Sequence, residues 1–239
     1  MRARRRKQDS KPATTTDLAL KGLMTTIEEL GYRRYQPLYG VDSDQVQHLG
    51  RPSRPVDERW QHIAANLPSH GSALDIGSQY GWFTFQLAQR GLTTLGVERF
   101  EADFRISQWL TVYNQVTNAA FIQTDVTTET VETLPAVDVV LCLSIFHHWA
   151  VKNGEDYAIQ ILHALADRTR DRMFFETGQF DEGDRSWRKQ LAFMGGSPLD
   201  WMVDQLRRFG FAQVIHLADT RPARSEERTP RHLVMATRM

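Results

Sequence analysis

Ala73-Leu74-Asp75-Ile76-Gly77-Ser78-Gln79-Tyr80-Gly81, residues 73–81, is the stretch that decides the fold. It consists of a short apolar run with an acid near its end, followed by a turn bounded by two glycines. Apolar residues at helical spacing begin at Trp82 and stop before Gly91. Because glycine has no Cβ, a strand, a glycine turn and a helix in this order let the backbone approach a bound nucleoside. The stretch therefore predicts a nucleotide-binding α/β domain.

From Ser72 onward, strand-like and helical patterns alternate along the chain. Strands are predicted at Ala73–Ile76, Thr93–Val97, Ala120–Gln123, Val137–Leu143, Met173–Phe175, Ala212–Leu217 and Leu233–Thr237. Continuous apolar runs are typical of parallel strands that are covered on both faces. The last two strands have only a polar segment between them, so we expect them to pair antiparallel. The predicted fold class is α/β, a doubly wound, seven-stranded, mostly parallel sheet with an antiparallel last strand and helices on both faces.

The chain divides into three segments by composition. Residues 1–12 carry six basic side chains and one acid, which predicts a disordered, solvated tail, with an arm for RNA as the alternative. Residues 13–55 are expected to form an N-terminal helix, starting from Thr16 or Asp17 as caps, and a lid-like segment. Residues 56–239 form the α/β domain.

Overall composition limits the classes of protein that fit. The net charge of the 239 residues is zero, and residues 13–217 carry about −7, so a nucleic-acid-binding body is not indicated. Cys142 is the only cysteine, which favours a reducing compartment. No run approaches the roughly 20 apolar residues that a membrane span needs. We therefore expect a cytoplasmic enzyme without a membrane partner.

The glycine turn and the strand ends distinguish between nucleotide-binding folds. A dinucleotide site needs a middle glycine beside the pyrophosphate, and Gln79 occupies that position here. Glu98 closes the second predicted strand, about where an acid would accept hydrogen bonds from a ribose. Asp125 follows the third strand, where a carboxylate can accept from an adenine amino group. Ligands bind beyond the carboxyl ends of parallel strands, so these positions should converge.

With these motifs, the chain from Trp60 to Met239 resembles the class I S-adenosylmethionine (SAM)-dependent methyltransferases. The resemblance implies that residues 56–239 are a SAM-dependent methyltransferase domain with SAM as its cofactor. It also implies a role for each matching position. Asp75, Gly77, Ser78 and Gly81 would form the cofactor turn, Glu98 would hold the ribose, Asp125 the adenine and Ser144 the methionine portion. Gln79-Tyr80 departs from the small residues that are common in this turn.

His147 and His148 are the candidate catalytic residues. A hydroxyl acceptor must lose a proton during methyl transfer, and a neutral imidazole can take it near physiological pH. The pair after the fourth strand resembles that of small-molecule O-methyltransferases. Neighbouring helical residues diverge by about 100°, so one histidine, for which we favour His147, is expected to act as the base. The same divergence argues against joint metal binding, and no metal is predicted at the site.

Glu176 ends the fifth predicted strand and is the third catalytic candidate. It would face the same cleft and either orient a histidine or bind a substrate hydroxyl. The other interpretation is an acid at a strand end that is exposed to water.

The predicted function is transfer of a methyl group from SAM to a hydroxyl of a small polar acceptor, of the sugar or natural-product type. Leu143-Ser144-Ile145-Phe146 lacks the Asn/Asp-Pro-Pro-aromatic pattern of many N-methyltransferases. The alternatives are an RNA-modifying methyltransferase that uses the basic tail, and a catalytically silent SAM-binding partner. A nicotinamide-dependent dehydrogenase is disfavoured by Gln79. A homodimer is compatible with the sequence.

Overall fold

The computed structural model describes residues 13–50, 52, 56–182, 187–220 and 230–238, so the tail predicted at 1–12 lies outside the described residues. Its helices are α1 (Thr15–Leu30), α2 (Ser43–Val46), α3 (Asp57–Ala64), α4 (Trp82–Gln89), α5 (Glu101–Tyr113), α6 (Thr128–Thr133), α7 (Phe146–Asn153), α8 (Glu155–Asp167) and α9 (Pro198–Arg208), with 3₁₀ turns at Gln47–Leu49 and Lys189–Met194. Its strands are β1 (Gly71–Ile76), β2 (Leu92–Glu98), β3 (Ala119–Gln123), β4 (Val137–Leu143), β5 (Thr169–Glu176), β6 (Gln213–Thr220) and β7 (Arg231–Thr237).

The strands form one sheet in the order β3-β2-β1-β4-β5-β7-β6. The pairs among β1 to β5 are parallel, whereas β7 lies between β5 and β6 and is antiparallel to both. The predicted fold class is confirmed, including the antiparallel last strand. The first switch in strand order lies between β1 and β4, and ligands of doubly wound sheets bind beside such switch points.

Both faces of the sheet are buried at its centre, as the continuous apolar run of β4 predicted, whereas the outer strands β3 and β6 are partly exposed. Val140 and Cys142 pack in the core that includes α8 and α9. Val139 and Leu141 point the other way and pack with Phe83 of α4. Successive side chains of a strand alternate between its faces, so a strand covered on both sides must be apolar at every position.

The first helix has its N-cap at Thr14, two residues before Thr16, the earlier of the two predicted caps. The Thr14 hydroxyl accepts a hydrogen bond from the Asp17 amide, and the Asp17 carboxylate accepts one from the Thr14 amide. The prediction of Thr16 or Asp17 as the cap is therefore wrong, because Asp17 is the acid of a capping box whose hydroxyl lies three residues earlier. The helix packs on α5, where the indole N–H of Trp109 donates to the Thr26 hydroxyl at 3.0 Å.

The segment after α1 lies against the glycine turn and the helix that follows it. The Tyr32 ring stacks on Tyr80 with centroids 5.1 Å apart, and the Tyr39 ring stacks on Phe85 at the same distance. The Tyr80 hydroxyl accepts a hydrogen bond from the Arg33 amide at 2.6 Å. These contacts connect the N-terminal segment to the nucleotide-binding unit, while a lid function for it stays a prediction.

Glycine is required at position 81 by the backbone conformation and by the lack of room for a Cβ. It has a φ of +81°, in the left-handed region, where a Cβ is costly. A Cβ at this position would also collide with the Phe121 ring of β3. The turn can therefore pass from β1 into α4 only with glycine here.

We expect Gly81→Ala to destabilise the protein more than Gly91→Ala. Gly91, at the other end of α4, has a φ of +92°, but a Cβ there would meet only one backbone oxygen, at 3.9 Å. Both substitutions have the conformational cost, about 1–2 kcal/mol, but only Gly81→Ala adds overpacking, about 1–3 kcal/mol. Urea unfolding of both variants measures the difference. Equal losses would show that Phe121 moves aside freely.

Candidate active site

A cleft of about 1030 Å³ opens at the carboxyl ends of β1, β2 and β4. The sequence-predicted residues that line it are Asp75, Gly77, Glu98, Asp125, Ser144, His147 and His148. These residues lie close together because β1, β2 and β4 are parallel and end at nearly the same level of the sheet. Ile76 of β1 pairs with Val97 of β2 and with Cys142 of β4. Ser78, Gly81 and Glu176 are not among the described residues that line the cleft.

Glu98 is held in the cleft wall by three backbone N–H groups. One carboxylate oxygen accepts hydrogen bonds from the amides of Arg99 and Phe100, both at 2.8 Å, and the other accepts from the Gln79 amide at 2.9 Å. The side chain is 6% exposed. Backbone donors fix an ionised carboxylate without long side chains to order, so Glu98 is preorganised as an acceptor for a ligand.

Two further acceptors beside Glu98 have no hydrogen-bond partner within the described residues. These are Gln79 Oε1 and Asp103 Oδ1, and both residues are buried and line the cleft. Gln79 itself has a φ of +54°. A buried acceptor without a donor costs free energy, so this pair fits a ligand that donates hydrogen bonds here, as ribose hydroxyls do.

Asp103 lies in the first turn of α5 and is 1% exposed. Burial raises its pKa to about 7, the Glu98 charge raises it further and the Arg33 guanidinium opposes the rise. Arg33 Nε lies 3.8 Å from Asp103 Oδ2. The site thus has a second carboxyl, next to Glu98, that titrates near neutral pH.

Asp75 is also buried, near the end of β1. Burial raises its pKa to about 6, and a hydrogen bond from the Thr84 hydroxyl, at 2.7 Å, partly opposes this. Thr84 is on α4, so the carboxyl of Asp75 connects the strand to the helix after the glycine turn as well as lining the cleft.

The turn itself divides its residues between the cleft and the core. Gly77 faces the cleft, and a Cβ there would lie 2.5 Å from the Ile145 side chain. Ser78 is fully buried, and its hydroxyl packs against Gly96 of β2. A Cβ added to Gly96 would lie only 2.8 Å from the hydroxyl oxygen. Ser78 and Gly81 therefore shape the turn from behind, and their side-chain positions do not reach the cleft.

Asp125 lines the cleft just after Thr124, whose amide donates to the Glu98 carbonyl at 3.0 Å. Its Oδ2 is 3.2 Å from the ammonium of Lys152, on α7, and its Oδ1 accepts from the Val126 amide at 3.1 Å. Its side chain is 45% exposed. The carboxylate is therefore oriented by one backbone donor and one cation, and it remains accessible to a ligand.

The two histidines have different environments. His147 is 2% exposed, and its Nδ1 accepts a hydrogen bond from the Gly178 amide at 3.0 Å. A neutral imidazole whose Nδ1 accepts carries its proton on Nε2, so His147 is a donor there and its basic nitrogen is already engaged. His148 is exposed to the cleft, and the two ring centroids are 4.2 Å apart.

The pKa of His148 is lower than its ordinary value of 6.5. Desolvation between the cleft walls is the largest cause, followed by the positive charges of Arg231, Arg99 and Arg33. His148 is therefore a neutral imidazole on the cleft surface, whereas the Nδ1 of His147 already accepts a hydrogen bond.

Glu176 is completely buried, and its described partners are not histidines. It accepts hydrogen bonds from the hydroxyls of Ser144 at 2.6 Å and Thr220 at 2.7 Å, and Arg59 lies 3.7 Å away. The expectation that Glu176 faces the cleft is therefore wrong, because Ser144, Thr220 of β6 and Arg59 of α3 surround its carboxylate. Its role is to hold Ser144, which has a φ of +58° and does line the cleft.

A second buried ion pair extends this network. Arg231 forms two hydrogen bonds with Glu182, at 2.6 and 2.9 Å, and its remaining terminal nitrogen donates to the Ser144 hydroxyl at 3.1 Å. Arg231 and Arg59 line the cleft, while Glu182 and Glu176 lie behind them. The wall beside Ser144 therefore presents guanidinium groups whose charges are balanced from behind.

Sequence reasoning missed Arg59, Asp103 and Arg231. Arg59 and Ile63 are one turn apart on α3, and both are buried. Asp103 precedes the buried Ile106 of α5 by three residues. A charged residue on the apolar stripe of a helix is costly to bury unless it has partners, and this pattern could have identified both residues. Arg231 begins a strand and gave no comparable signal.

Similarity to known structures identifies the fold. A crystal structure of WbdD aligns with 90% of this chain and 46% of that chain, with a TM-score of 0.72 and 22% identity. Magnesium protoporphyrin IX methyltransferase (ChlM) from Synechocystis PCC 6803, with bound S-adenosylhomocysteine (SAH), aligns with 90% of this chain and 97% of its own, with a TM-score of 0.58 and 19% identity. The fold is that of the class I SAM-dependent methyltransferases.

Two further comparisons concern a protein with a similar sequence and a solved structure of similar fold that was determined in the presence of SAH. The O-antigen chain terminator bifunctional methyltransferase/kinase WbdD of Escherichia coli is 26% identical over 155 residues, 63% of this chain and 22% of WbdD. The alignment thus spans about a fifth of that relative's length. The N-terminal domain of EvdMO1, in the presence of SAH and D-fucose, has a TM-score of 0.54 over 76% of this chain and 82% of its own, with 20% identity. No protein-family model matches the chain.

The described residues fit SAM. Glu98, Gln79 and Asp103 present acceptors where ribose hydroxyls would donate, and Asp125 offers another for an adenine amino group. Buried acceptors without a donor would be satisfied by such a ligand. None of the helices within the described part of the chain combines the length and apolarity needed to span a membrane.

We expect Asp103→Asn to stabilise the protein at pH 8. The folded pKa of Asp103, about 7, exceeds the ordinary value of 3.8, so its contribution to stability is full below pH 3.8 and is lost as the pH rises through 7. An uncharged amide avoids this loss, with a gain on the order of 1–2 kcal/mol at pH 8 that shrinks at pH 5. Urea unfolding at both pH values, without cofactor, measures it.

Glu101→Gln is the control, because Glu101 is also in the first turn of α5 but its side chain is 62% exposed. It should change stability little at either pH. Destabilisation by Asp103→Asn at pH 8 would mean instead that attraction to Arg33 outweighs the cost of burial.

Proposed function

We propose that this chain is a SAM-dependent methyltransferase that methylates a hydroxyl of a small polar acceptor, with His148 as the general base. The observation that carries the proposal is the division of the cleft. One part of the lining, the cofactor end, holds Glu98 with the acceptors of Gln79 and Asp103 that lack a donor among the described residues, and another part, the acceptor end, holds the neutral imidazole of His148. A donor-rich cofactor suits the first end, and an acceptor that must lose a proton suits the second.

The cofactor end is built for recognition of an uncharged, hydroxyl-bearing group. Three backbone amides already engage the Glu98 carboxylate, which leaves its remaining acceptor capacity directed at a ligand. Gln79 replaces the glycine that a pyrophosphate would need, so a cofactor without a pyrophosphate is favoured. When bound, SAM supplies a methyl group activated by a sulfonium centre.

The acceptor end is polar and largely preformed. Arg231 and Arg59 are buried in the cleft wall and balanced by Glu182 and Glu176, so they can donate hydrogen bonds without moving. Fixed donors orient an acceptor hydroxyl toward the methyl group, and such positioning is the main contribution a protein makes to an in-line displacement. The polar wall favours an acceptor with several hydroxyls over an apolar one.

His148 is the residue for proton removal. Its lowered pKa keeps the imidazole neutral at physiological pH, and its position on the cleft surface leaves it open to an acceptor. His147 supports it through ring contact at 4.2 Å and is itself fixed by the Gly178 amide and by the Trp187 ring, whose centroid is 4.7 Å away. We therefore assign His147 a positioning role.

A sugar or glycoside is our preferred acceptor class. The EvdMO1 domain with a related fold was crystallised with SAH and D-fucose, a sugar with free hydroxyls. WbdD, the curated relative, is named for O-antigen chain termination. Transfer of radiolabelled methyl groups from SAM, screened over sugars, phenols and RNA, tests the class. Label on RNA alone would replace the proposal with the RNA-modifying alternative, and label on no class would favour a silent SAM-binding protein.

SAH should bind the wild-type protein, and Glu98→Ala should weaken binding by about 1.5–3 kcal/mol, the cost of losing charge-assisted hydrogen bonds. Isothermal titration calorimetry measures the affinity of both. Glu101→Ala is the matched control, because it removes an exposed acid three residues further along. Because Glu98 also accepts three backbone hydrogen bonds, thermal unfolding should confirm that the variant is folded. Binding of NAD without binding of SAH would refute the cofactor assignment.

His148→Ala should lower turnover at saturating SAM by about 10²–10⁴-fold, the usual contribution of general-base catalysis. His147→Gln should lower it less, because the amide can still accept from Gly178. The wild-type rate should rise with pH and level off, with an apparent pKa below 6.5, since the pKa of His148 is lowered. Steady-state rates from pH 5 to 8 test this. A flat profile with near-wild-type rates in both variants would leave positioning alone as the catalytic contribution.

A further inference from the structure

Outside the cleft, three metal-ligating side chains converge on the outermost two strands of the sheet. His216 and Asp219 belong to β6, and His232 belongs to β7. One Asp219 carboxylate oxygen lies 2.9 Å from His216 Nε2 and 2.7 Å from His232 Nδ1. The ligand atoms of all three residues lie within 4.8 Å of one another. The cleft function does not use these residues.

A β-bulge brings the three residues to one face. Residues 216 and 219 are three apart, so in a regular strand their side chains would point to opposite faces. The register of β6 against β7 shifts between His216 and Ala218, so Leu217 and Ala218 together oppose Leu233. Leu217 packs in the core on one face of the sheet. His216 and Asp219 consequently both project from the other face.

His232 joins them by direct strand pairing. It is the register partner of Asp219, and His216 is the partner of Val234, which shares a face with His232. Paired residues of antiparallel strands lie side by side on the same face. Bulges commonly re-aim a side chain, and this one completes a cluster that regular pairing would have separated.

We propose that His216, Asp219 and His232 bind a divalent transition-metal ion, with zinc as the preferred ion. Two imidazole nitrogens and one carboxylate oxygen are ligands that suit zinc, and three protein ligands leave a fourth position for water. Across the described ranges, no other group of three His, Cys, Asp or Glu residues brings its ligand atoms this close.

Side-chain adjustments separate the observed arrangement from a metal-bound one. Zinc with bonds of about 2.0–2.1 Å holds tetrahedral ligand atoms about 3.3 Å apart. The two contacts of Asp219, at 2.9 and 2.7 Å, must therefore lengthen, and the ligand nitrogens of the two histidines, which lie within 4.8 Å of each other, must settle at about the tetrahedral distance. The side chains of His216 and Asp219 are 34% and 48% exposed, so this adjustment meets little resistance and the ion can reach the site from solvent.

A metal here would act on the strand pair next to the cleft. Asp219 precedes Thr220, which donates to the buried Glu176, and His232 follows Arg231, which lines the cleft. An ion that links β6 to β7 at this point would fix the register of the pair from which Arg231 projects. The site is therefore structural in effect and does not contact the reacting groups.

Titration of ZnCl₂ into the chelator-treated full-length protein tests the proposal. The wild-type protein should bind one equivalent, and His216→Ala, Asp219→Asn and His232→Ala should each weaken that binding by a factor of about 10 or more. His163→Ala is the control, since it removes a more exposed histidine, 54%, whose Nε2 likewise lies near a carboxylate oxygen, that of Asp167 at 3.9 Å. It should leave the affinity unchanged.

Thermal unfolding provides a second readout. A ligand that binds only the folded state raises the melting temperature, so zinc should stabilise the wild type and His163→Ala but not the triad variants. Asp219→Asn nearly preserves the size of the side chain, and circular dichroism should show that it is folded. No saturable binding by the wild type, or the same affinity in the triad variants, would overturn the proposal and leave a hydrogen-bonded cluster.

Discussion

The Glu98 carboxylate and the three backbone N–H groups that bind it define the geometry of the cleft. The Gln79 amide comes from the turn after β1, whereas the amides of Arg99 and Phe100 come from the loop after β2. One side chain thus connects two loops that would otherwise be positioned independently. Backbone donors lose no side-chain entropy on binding, so the carboxylate is fixed in orientation at low cost. This part of the cleft depends on the arrangement, because the buried acceptors of Gln79 and Asp103 line the cleft beside the same carboxylate.

The opposite wall depends on buried charge pairs. Arg59 with Glu176 and Arg231 with Glu182 are ion pairs between almost completely buried side chains, and Ser144 connects them. Replacing such pairs with apolar residues is often neutral or stabilising, so stability is a weak explanation for their presence. A more direct explanation is their position in the cleft, where two guanidinium groups form fixed donors whose charges are neutralised from behind. The arrangement gives the cleft a preorganised polar wall.

Different parts of one sheet edge therefore serve different purposes. Glu98 and Glu176 each end a parallel strand, yet Glu98 faces the cleft and Glu176 is enclosed. Their neighbours decide this difference: backbone amides hold Glu98 in the cleft wall, whereas Ser144, Thr220 and Arg59 surround Glu176. The bulge in β6 has a similar effect further out, since one extra residue places His216 and Asp219 on the same face. The position of a residue in its strand determines the direction of its side chain. The neighbouring elements determine whether that side chain then reaches the cleft, the interior or solvent.

The sequence by itself determined the fold class, the strands of the nucleotide-binding half and the cleft acids Asp75, Glu98 and Asp125. Those features arise from local patterns: the period of apolar residues, glycines in a turn and an acid at a strand end. Tertiary structure alone decided which nitrogen of His147 is occupied, since its donor, Gly178, is 31 residues away. It also decided that Glu176 is buried and that Arg59, Asp103 and Arg231 join the cleft. These outcomes depend on contacts between residues far apart in the chain. Burial affects both the hydrogen-bond partners and the pKa of a side chain, and it results from packing against neighbours that no local sequence pattern specifies.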